Sequence, residues 1–224
     1  MDKEKEKGAV VLPENAFREL KDGETYEPLM SPNKTYREVT PWSVTWGLVM
    51  VVLFSAAAAY LGLKVGQVFE AAIPIAIIAI GLSTATHRKN ALGENVIIQS
   101  IGACSGAVVA GGIFVMPAIY MLDLQADFIK IFIAAALGGI LGILFLIPFR
   151  KYFVKDMHGK YPFPEATATT QVLVSGGEGG SQAKPLRVAG LVGGAYDFIV
   201  GTLGWWDENV TSRMIGLGQD LADK

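Results

Sequence analysis

The chain has 224 residues, of which 51% are hydrophobic, with a mean hydropathy of +0.39 and a formal net charge of -2 at pH 7. A net charge this small does not attract a polyanion, so no nucleic-acid partner is expected. The hydrophobic residues lie in long runs without charges, which a membrane requires and a soluble core does not. The composition therefore predicts an all-α, polytopic transmembrane helical bundle.

The first predicted element is a flexible cytoplasmic tail over residues 1–41, which are polar, charged and rich in proline. Thr40 is a candidate N-cap and Pro41 a candidate first residue of the helix that follows. The run Trp42–Leu63 contains no charged residue. At about 1.5 Å per residue it covers roughly the 30 Å of a bilayer's hydrocarbon core, so it predicts a first span.

A polar segment flanked by glycines, Leu61–Glu70, separates this span from a second apolar run, Ala71–Thr86. The second run is short for a membrane crossing, so we expect the helix to start near Gly66 and to carry Gln67 and Glu70 into or near the membrane. Such polar breaks between apolar helices recur at transporter binding sites. An ordinary hairpin loop at the surface is the alternative interpretation.

The transmembrane region is predicted to extend over residues 42–206. The third run, Asn95–Leu122, is longer than one span needs and contains Pro117 and several glycines, so a tilt, a kink and a broken helix all remain open. The later regions are a fourth span (Ile131–Phe149), a cytoplasmic or re-entrant segment (150–187), a weaker fifth span (Val188–Trp206) and a polar extracytoplasmic segment (207–224).

Within the re-entrant segment, Pro162 and Pro164 predict an extended approach to a short helix that starts at Pro164 and carries threonines, before a glycine-rich stretch from Ser175 to Ser181. Orientation follows from the basic residues. With a cytoplasmic N-terminus, fifteen Lys and Arg residues fall on the cytoplasmic side and four on the other. The positive-inside rule therefore predicts a multi-pass inner-membrane protein with its N-terminus in the cytoplasm and residues 64–70 facing outward.

Three carboxylates are candidates for proton coupling, because an ionisable group at membrane depth is costly unless it serves a function. They are Glu165, Glu94 and Asp197. Glu94 and Glu165 also have a structural explanation, since each precedes or begins a predicted helix, where the helix dipole favours an acid. Asp197 lies within the fifth predicted span and has no such explanation.

Signatures of other chemistry are missing from the sequence. There is no phosphate-binding loop ending in Lys-Ser/Thr, and His87 and His158 lie too far apart in sequence for a short metal-binding motif, so both are expected to be solvated. No catalytic nucleophile motif is found. The sequence therefore predicts no enzyme activity, no cofactor and no metal site.

Four ordered motifs resemble those of the oligopeptide transporter family, whose bacterial members share them with the yellow-stripe-like metal-chelate branch. They cover Ala59–Gln67, Ala71–Pro74, Gly93–Ser100 and Tyr161–Ala168. The family pattern Tyr-Pro-x-x-x-Ala-Thr-Ala falls on Tyr161–Ala168. The plant branch usually has Ser-Gly within it, whereas this chain has Phe163-Pro164-Glu165, so plant-type metal-chelate specificity is not implied.

The resemblance implies a proton-coupled importer of small peptides or metal chelates with about sixteen spans built by duplication, of which this chain, with about five, is the N-terminal part. Its expected partners are the substrate, protons, the lipid bilayer and the remainder of the transporter. A five-span scaffold or assembly subunit is the alternative. The residues expected to line the substrate path are Lys64, Gln67, Glu70, Asn95, Gln99, Tyr161, Pro162, Thr167, Thr170 and Gln171.

Overall fold

The computed structural model describes residues 12–66, 68, 70–125, 127–177, 188–189, 191–196 and 198–199. Every regular element in these ranges is helical, which confirms the predicted all-α class. Residues 1–182 form one compact unit and residues 183–224 a second. In the second unit the described residues are helical. Nine of the 19 residues of the predicted fifth span, 190, 197 and 200–206, lie outside the described residues.

Helix α1, Pro41–Val65, begins as the sequence predicts. The Thr40 hydroxyl accepts a hydrogen bond from the Ser43 backbone N–H at 3.2 Å, and the Ser43 hydroxyl accepts one from the Thr40 N–H at 2.9 Å. Two N–H groups that a helix start leaves unpaired are thereby satisfied, with Pro41 in the first turn. The helix ends at Gly66, which adopts a left-handed φ of 75° and bonds to the Gly62 carbonyl.

Helix α2, Ala72–Ala85, is shorter than predicted, and the expected start near Gly66 is wrong. Gly66, Val68, Glu70 and Ala71 are not helical. Pro74 supplies the physical reason, because proline is tolerated in the first turn of a helix but costs a hydrogen bond and a steric clash further inside. At about 1.5 Å per residue, α2 covers only about 21 Å, less than the roughly 30 Å of a bilayer's hydrocarbon core.

Two longer helices follow. Helix α3, Leu92–Met121, runs for 30 residues through Pro117 without interruption, so the broken-helix alternative does not apply. Helix α4, Phe128–Lys151, continues into a π-helical turn, Tyr152–Asp156. In the described part of the chain, three helical segments are long and apolar enough to cross a membrane: Pro41–Lys64, Leu92–Met121 and Phe128–Asp156.

Helix α5, Pro164–Gly177, begins at the predicted proline and extends through the first residues of the predicted glycine-rich stretch. The last turn of α5 brings Gly176 against α2. A methyl group at this position would overlap the Ile80 side chain of α2, so glycine lets the two helices approach closely. Leu173 and Val174 are buried in the same region. Helix α5 therefore packs against α2, and its re-entrant character stays a prediction.

The core lies where α1, α2 and α3 meet, around Met50, Ile75 and Ile98. Glycines again permit close contact. A Cβ atom on Gly102 would lie 2.9 Å from the Ile75 Cδ1 and 3.2 Å from the Met50 Cβ, and one on Gly47 would lie 2.9 Å from the Ile101 Cβ. Because lipid provides no hydrophobic drive between helices, this shape complementarity is what holds them together.

Helix α4 has no buried residue in the described part of the chain. At Gly138 and Gly142, two glycines of α4 spaced four residues apart, a Cβ atom would meet nothing within 4 Å in the described part of the chain. An apolar helix exposed on all sides requires lipid or further protein around it.

The described part of the N-terminal tail contacts the segment that precedes α5. The His158 Nε2 lies 2.8 Å from the Asn15 carbonyl oxygen, and its ring lies 5.1 Å from the ring of Tyr26. His158 is therefore half-buried against the tail, and the expectation that it is solvated was wrong, whereas His87 is exposed as expected. The contact could not be inferred from sequence because 143 positions separate its two residues. Flexibility of the tail stays a prediction.

At acidic pH, the turn of the tail that contains Lys21 and Glu24 is expected to become less stable. Hydrogen bonds from Arg18 and from the Lys21 backbone N–H hold the pKa of Glu24 at about 2, below its usual 4.5. Because the pKa is depressed, the contribution of Glu24 to local stability is present above about pH 4.5 and is lost as the pH falls toward 2. Hydrogen exchange at the Lys21 amide, corrected for the intrinsic rate, should lose protection over that interval. Glu24→Gln should abolish this pH dependence, and unchanged protection at pH 2 in the parent would contradict it.

Candidate functional site

One cavity, here called cavity A, collects residues from all three stretches that the sequence analysis assigned to a substrate path. It has a volume of about 780 Å³. Glu70 comes from the break before α2, Gln99 from α3, and Glu165 and Thr170 from α5. Pocket volumes of about 300–1,000 Å³ are typical of small-molecule sites. Cavity A is therefore large enough for a ligand the size of a short peptide.

The course of cavity A follows from the packing of α2 on α3. The two helices are antiparallel, because Ser83 contacts Asn95 while Ile75 lies against Gly102. Cavity A is lined both by Leu92, at the start of α3, and by Glu70 and Ala72, at the start of α2. It therefore extends along much of α2, from the end that carries the N-terminal tail to the break between α1 and α2.

The lining of cavity A is apolar apart from a few polar groups. Its charged lining residues are the two carboxylates of Glu70 and Glu165, and no Lys, Arg or His lines it within the described ranges. Thr169 also lines it, is only 6% exposed, and has a hydroxyl without a hydrogen-bond partner. By contrast, the Thr170 hydroxyl donates to the Ala166 carbonyl of its own helix at 2.8 Å.

A second cavity, cavity B, has a volume of about 1,040 Å³ and shares the first turn of α5 with cavity A. Its lining includes five predicted path residues: Tyr161, Pro162 and Thr167 of the family motif, and Thr170 and Gln171 just after it. Pro162 and Thr170 line both cavities. The ring of Tyr161 lies 6.1 Å from that of Phe163 and 6.3 Å from that of Phe153. The family motif thus forms an aromatic and threonine-bearing wall between the two cavities.

Other predicted path residues lie elsewhere. Asn95 is fully buried between α2 and α3, where its Nδ2 donates to the Ser83 hydroxyl at 3.1 Å, and it lines neither cavity. Lys64 is exposed, with its Nζ 5.9 Å from the centre of the Tyr60 ring. Gln67 and the proton-coupling candidate Asp197 lie outside the described residues.

Glu94 is the centre of a hydrogen-bonded cluster at the start of α3. Arg88 donates from Nε and Nη2 to its two carboxylate oxygens, each at 2.6 Å, and the Thr40 hydroxyl donates to Oε1 at 2.7 Å. The guanidinium also lies 4.5 Å from the centre of the Trp42 ring. The hydrogen bonds to Glu94 raise the pKa of Arg88, so the guanidinium stays charged. The cluster joins the first turns of α1 and α3 to the α2–α3 loop.

Sequence reasoning missed the contribution of the N-terminal tail to the cavities. Tyr26, Leu29 and Met30 line cavity A, and Tyr26 also lines cavity B. A signal was present, because these large apolar side chains stand in an otherwise polar segment. Sequence reasoning also missed Thr169 and Arg88. The spacing of residues does not reveal that the Thr169 hydroxyl is buried without a partner, or that Arg88 pairs with Glu94.

Within the described ranges, no three His, Cys, Asp or Glu side chains gather closely enough to hold a metal ion. The exposed Cys104 is the chain's one cysteine. The groups available for chemistry in cavity A are therefore carboxylates, hydroxyls and an amide, which can bind a cation or exchange a proton.

Comparison with known proteins places the chain in a family. The family model described as OPT oligopeptide transporter protein matches residues 38–219. A Haemophilus influenzae protein named "Putative oligopeptide transporter" is 32% identical over 148 residues, which cover 64% of this chain and 23% of that protein. The chain thus spans about a quarter of the length of this curated relative. No solved structure gives a significant match. Because the family model covers most of the chain, and the residues that the structure describes include three apolar helices long enough to span a bilayer, this is a multi-pass membrane protein that belongs to the OPT oligopeptide transporter family.

Proposed function

We propose that this chain forms the N-terminal part of a secondary active transporter that imports oligopeptides together with protons. The observation that carries the proposal is cavity A, where the break before α2, the first turns of α3 and the family motif on α5 meet. Transporter sites are typically built where irregular backbone interrupts apolar helices. The name of the Haemophilus influenzae relative supports peptides as the substrate class.

Helix α5 is the re-entrant element in this proposal. It packs against both α2 and α3. Segments that are not full spans are tolerated at membrane depth where they lie against protein or line a water-filled cavity, and α5 lies against protein and lines cavity A. The N-terminus is cytoplasmic and the membrane is the inner membrane. In support, the tail contacts the segment at His158, which the positive-inside rule assigns to the same side.

Glu165 is the proton-coupling residue in this proposal. It lines cavity A in the first turn of α5, and no hydrogen bond or ion pair occupies its carboxylate in the described part of the chain. Glu94 differs, because Arg88 and Thr40 occupy its carboxylate oxygens, so its role is structural. A group that binds and releases a proton during each cycle must be free of such fixed partners.

The substitution Glu165→Gln tests this role. In the full-length protein reconstituted into liposomes, it should reduce peptide uptake driven by an inward proton gradient at least about tenfold, which corresponds to about 1.4 kcal/mol of lost stabilisation. Exchange of labelled for unlabelled peptide across the membrane without a gradient should fall much less, because exchange requires no net proton movement. The control is Asp123→Asn, an exposed residue in the α3–α4 turn. Gradient-driven uptake at the parental rate would remove Glu165 from the coupling mechanism.

The same assay can include a ferric chelate of a peptide-like ligand, because the wider family resemblance also covers metal-chelate transport. Accumulation of the chelate without accumulation of peptide would replace the proposed substrate class. A scaffold or assembly subunit is the alternative from a different functional class, and it predicts that neither substrate accumulates.

A further inference from the structure

The N-terminal tail contacts the bundle at two places. Its segment Leu12–Met30, here called the strap, lies first on the residues that precede α5. There the His158 Nε2 lies 2.8 Å from the Asn15 carbonyl oxygen, and the His158 ring lies 5.1 Å from that of Tyr26. A Cβ atom on the neighbouring Gly159 would overlap the strap backbone, so glycine permits this close approach. The strap is therefore seated on the segment that leads into the family motif.

The second contact is at the start of α3. A Cβ atom on Gly93 would lie 2.9 Å from the Arg37 carbonyl oxygen and 3.4 Å from the Met30 Cε. Gly93 is itself buried. Glycine thus again lets the tail pack directly on the bundle. The strap therefore crosses from the approach to α5 over to the first turn of α3.

Between these two contacts the strap lines both cavities. Leu12 and Tyr26 line cavities A and B, and Leu29 and Met30 line cavity A. Cavity A extends along α2 from this end to the break between α1 and α2, where Glu70 lines it. The strap therefore forms the wall of cavity A at one end, while Glu70 at the other end is exposed.

The strap has its own internal hydrogen bonds. The two carboxylate oxygens of Glu24 each accept a hydrogen bond from the Arg18 guanidinium at 2.8 Å, and the Lys21 N–H donates to the same carboxylate at 3.0 Å. In the described part of the chain, one hydrogen bond joins the strap to the bundle, at His158. Its net contribution to docking is small, because the released groups can bond to water instead. The strap can therefore leave its seat as a unit and keep its internal bonds.

We propose that the strap is a gate at its end of cavities A and B, closed in this structure and opened when the strap leaves His158 and Gly159. A transporter exposes its site to one side of the membrane at a time, so one end closes while the other is open. Lids are drawn from elements with few stabilising contacts. Under the predicted orientation, this end faces the cytoplasm. The proposal goes beyond the proposed function and takes from it only the identity of the ligand that passes the gate.

The test measures the access of a thiol reagent to cavity A from the side of the tail. Gln99→Cys, at a half-buried position that lines cavity A, is the reporter, and Cys104→Ser removes the exposed native cysteine. The full-length protein is placed in vesicles whose outer face carries the tail, as shown by cleavage of an N-terminal tag, and a membrane-impermeant maleimide is added. Gly159→Ala and His158→Ala should each raise the labelling rate of the reporter at least about threefold, because labelling follows the open population.

Gly23→Ala is the matched control. Gly23 and Gly159 adopt similar left-handed φ values, 81° and 72°, so alanine is strained at both positions. A Cβ atom at Gly23, however, would meet nothing within 4 Å in the described part of the chain, so this variant should keep the parental labelling rate. Hydrogen exchange of the strap amides in the same proteins measures whether the strap has been released. Parental labelling rates in variants whose strap amides have lost protection would overturn the proposal, and so would a strap that is unprotected in the parent.

A cross-link supplies the opposite perturbation. Tyr26→Cys and His158→Cys, joined by a short cleavable reagent in the Cys104→Ser background, should hold the strap on its seat, since the two native rings lie 5.1 Å apart. Exchange of labelled for unlabelled peptide across the membrane should then fall at least about tenfold and recover when the linker is cleaved. Exchange at the uncross-linked rate would contradict the gate. If the uncross-linked protein exchanges no peptide, the proposed function fails, whereas the labelling rates still test the gate.

Discussion

Replacement of Glu94 by alanine is expected to lower the stability of the folded protein by about 2 kcal/mol or more, through the loss of charge-assisted hydrogen bonds in a buried cluster. The Glu94 side chain is 3% exposed. Without it, the Arg88 guanidinium and the Thr40 hydroxyl lose their shared partner at the junction of α1 and α3. Thermal unfolding of the full-length protein in detergent, followed by size-exclusion chromatography, measures the change.

The matched control for Glu94 is Asp127→Ala. Asp127 is also an acid at a helix start, where it accepts a hydrogen bond from the Ile129 N–H at 3.0 Å and lies 3.9 Å from the Lys130 Nζ. Because this pair is exposed, Asp127→Ala should lower the free energy of unfolding by about 1 kcal/mol or less. A Glu94→Ala protein as stable as the control would show that the cluster does not hold α1 to α3.

Gly102→Leu is expected to destabilise the packing of α1, α2 and α3. A Cβ atom alone would already lie within 2.9 Å of two Ile75 carbons, and leucine adds three further carbons at the same place. Overpacking of this kind typically costs about 1–3 kcal/mol, and Gly102→Ala should show a smaller loss in the same direction. The measurement is the fraction of protein that remains monodisperse after heating.

Gly111→Leu provides the comparison on the same helix. A Cβ atom at Gly111 would meet nothing within 4 Å in the described part of the chain. We therefore expect a loss well below that of Gly102→Leu. Equal melting behaviour of the two leucine variants would contradict the assignment of Gly102 to the helix interface.

Local features of the fold were predictable from the sequence. Thr40 and Pro41 marked the start of α1, and Pro164 marked the start of α5, because capping and the fixed φ of proline depend on neighbouring residues alone. The start of α2 differs from the prediction because Pro74 favours a helix that begins shortly before it, although the resulting helix is short for a membrane span. The approximate ends of α3 could be predicted from the sequence, but its continuity through Pro117 could not be predicted.

The composition of cavity A was partly predictable. The polar break predicted Glu70 and the family motifs predicted Gln99 and Glu165 as site residues, and the structure brings all three to one cavity. The roles of these residues stay predictions. The tail residues on the cavity wall and the partners of Glu94 could not be derived, because they depend on contacts between residues far apart in the chain. The hydrogen bond from Thr40 to Glu94, for example, joins residues 54 positions apart.

The most direct test of the account is the accumulation of a labelled tetrapeptide in right-side-out vesicles that contain the full-length protein, with and without an imposed inward proton gradient. A ferric chelate serves as the parallel substrate. If the chain belongs to a proton-coupled importer, peptide should accumulate above its external concentration only when the gradient is present. If neither substrate accumulates under the gradient, with the protein shown to be folded, the transporter account is contradicted.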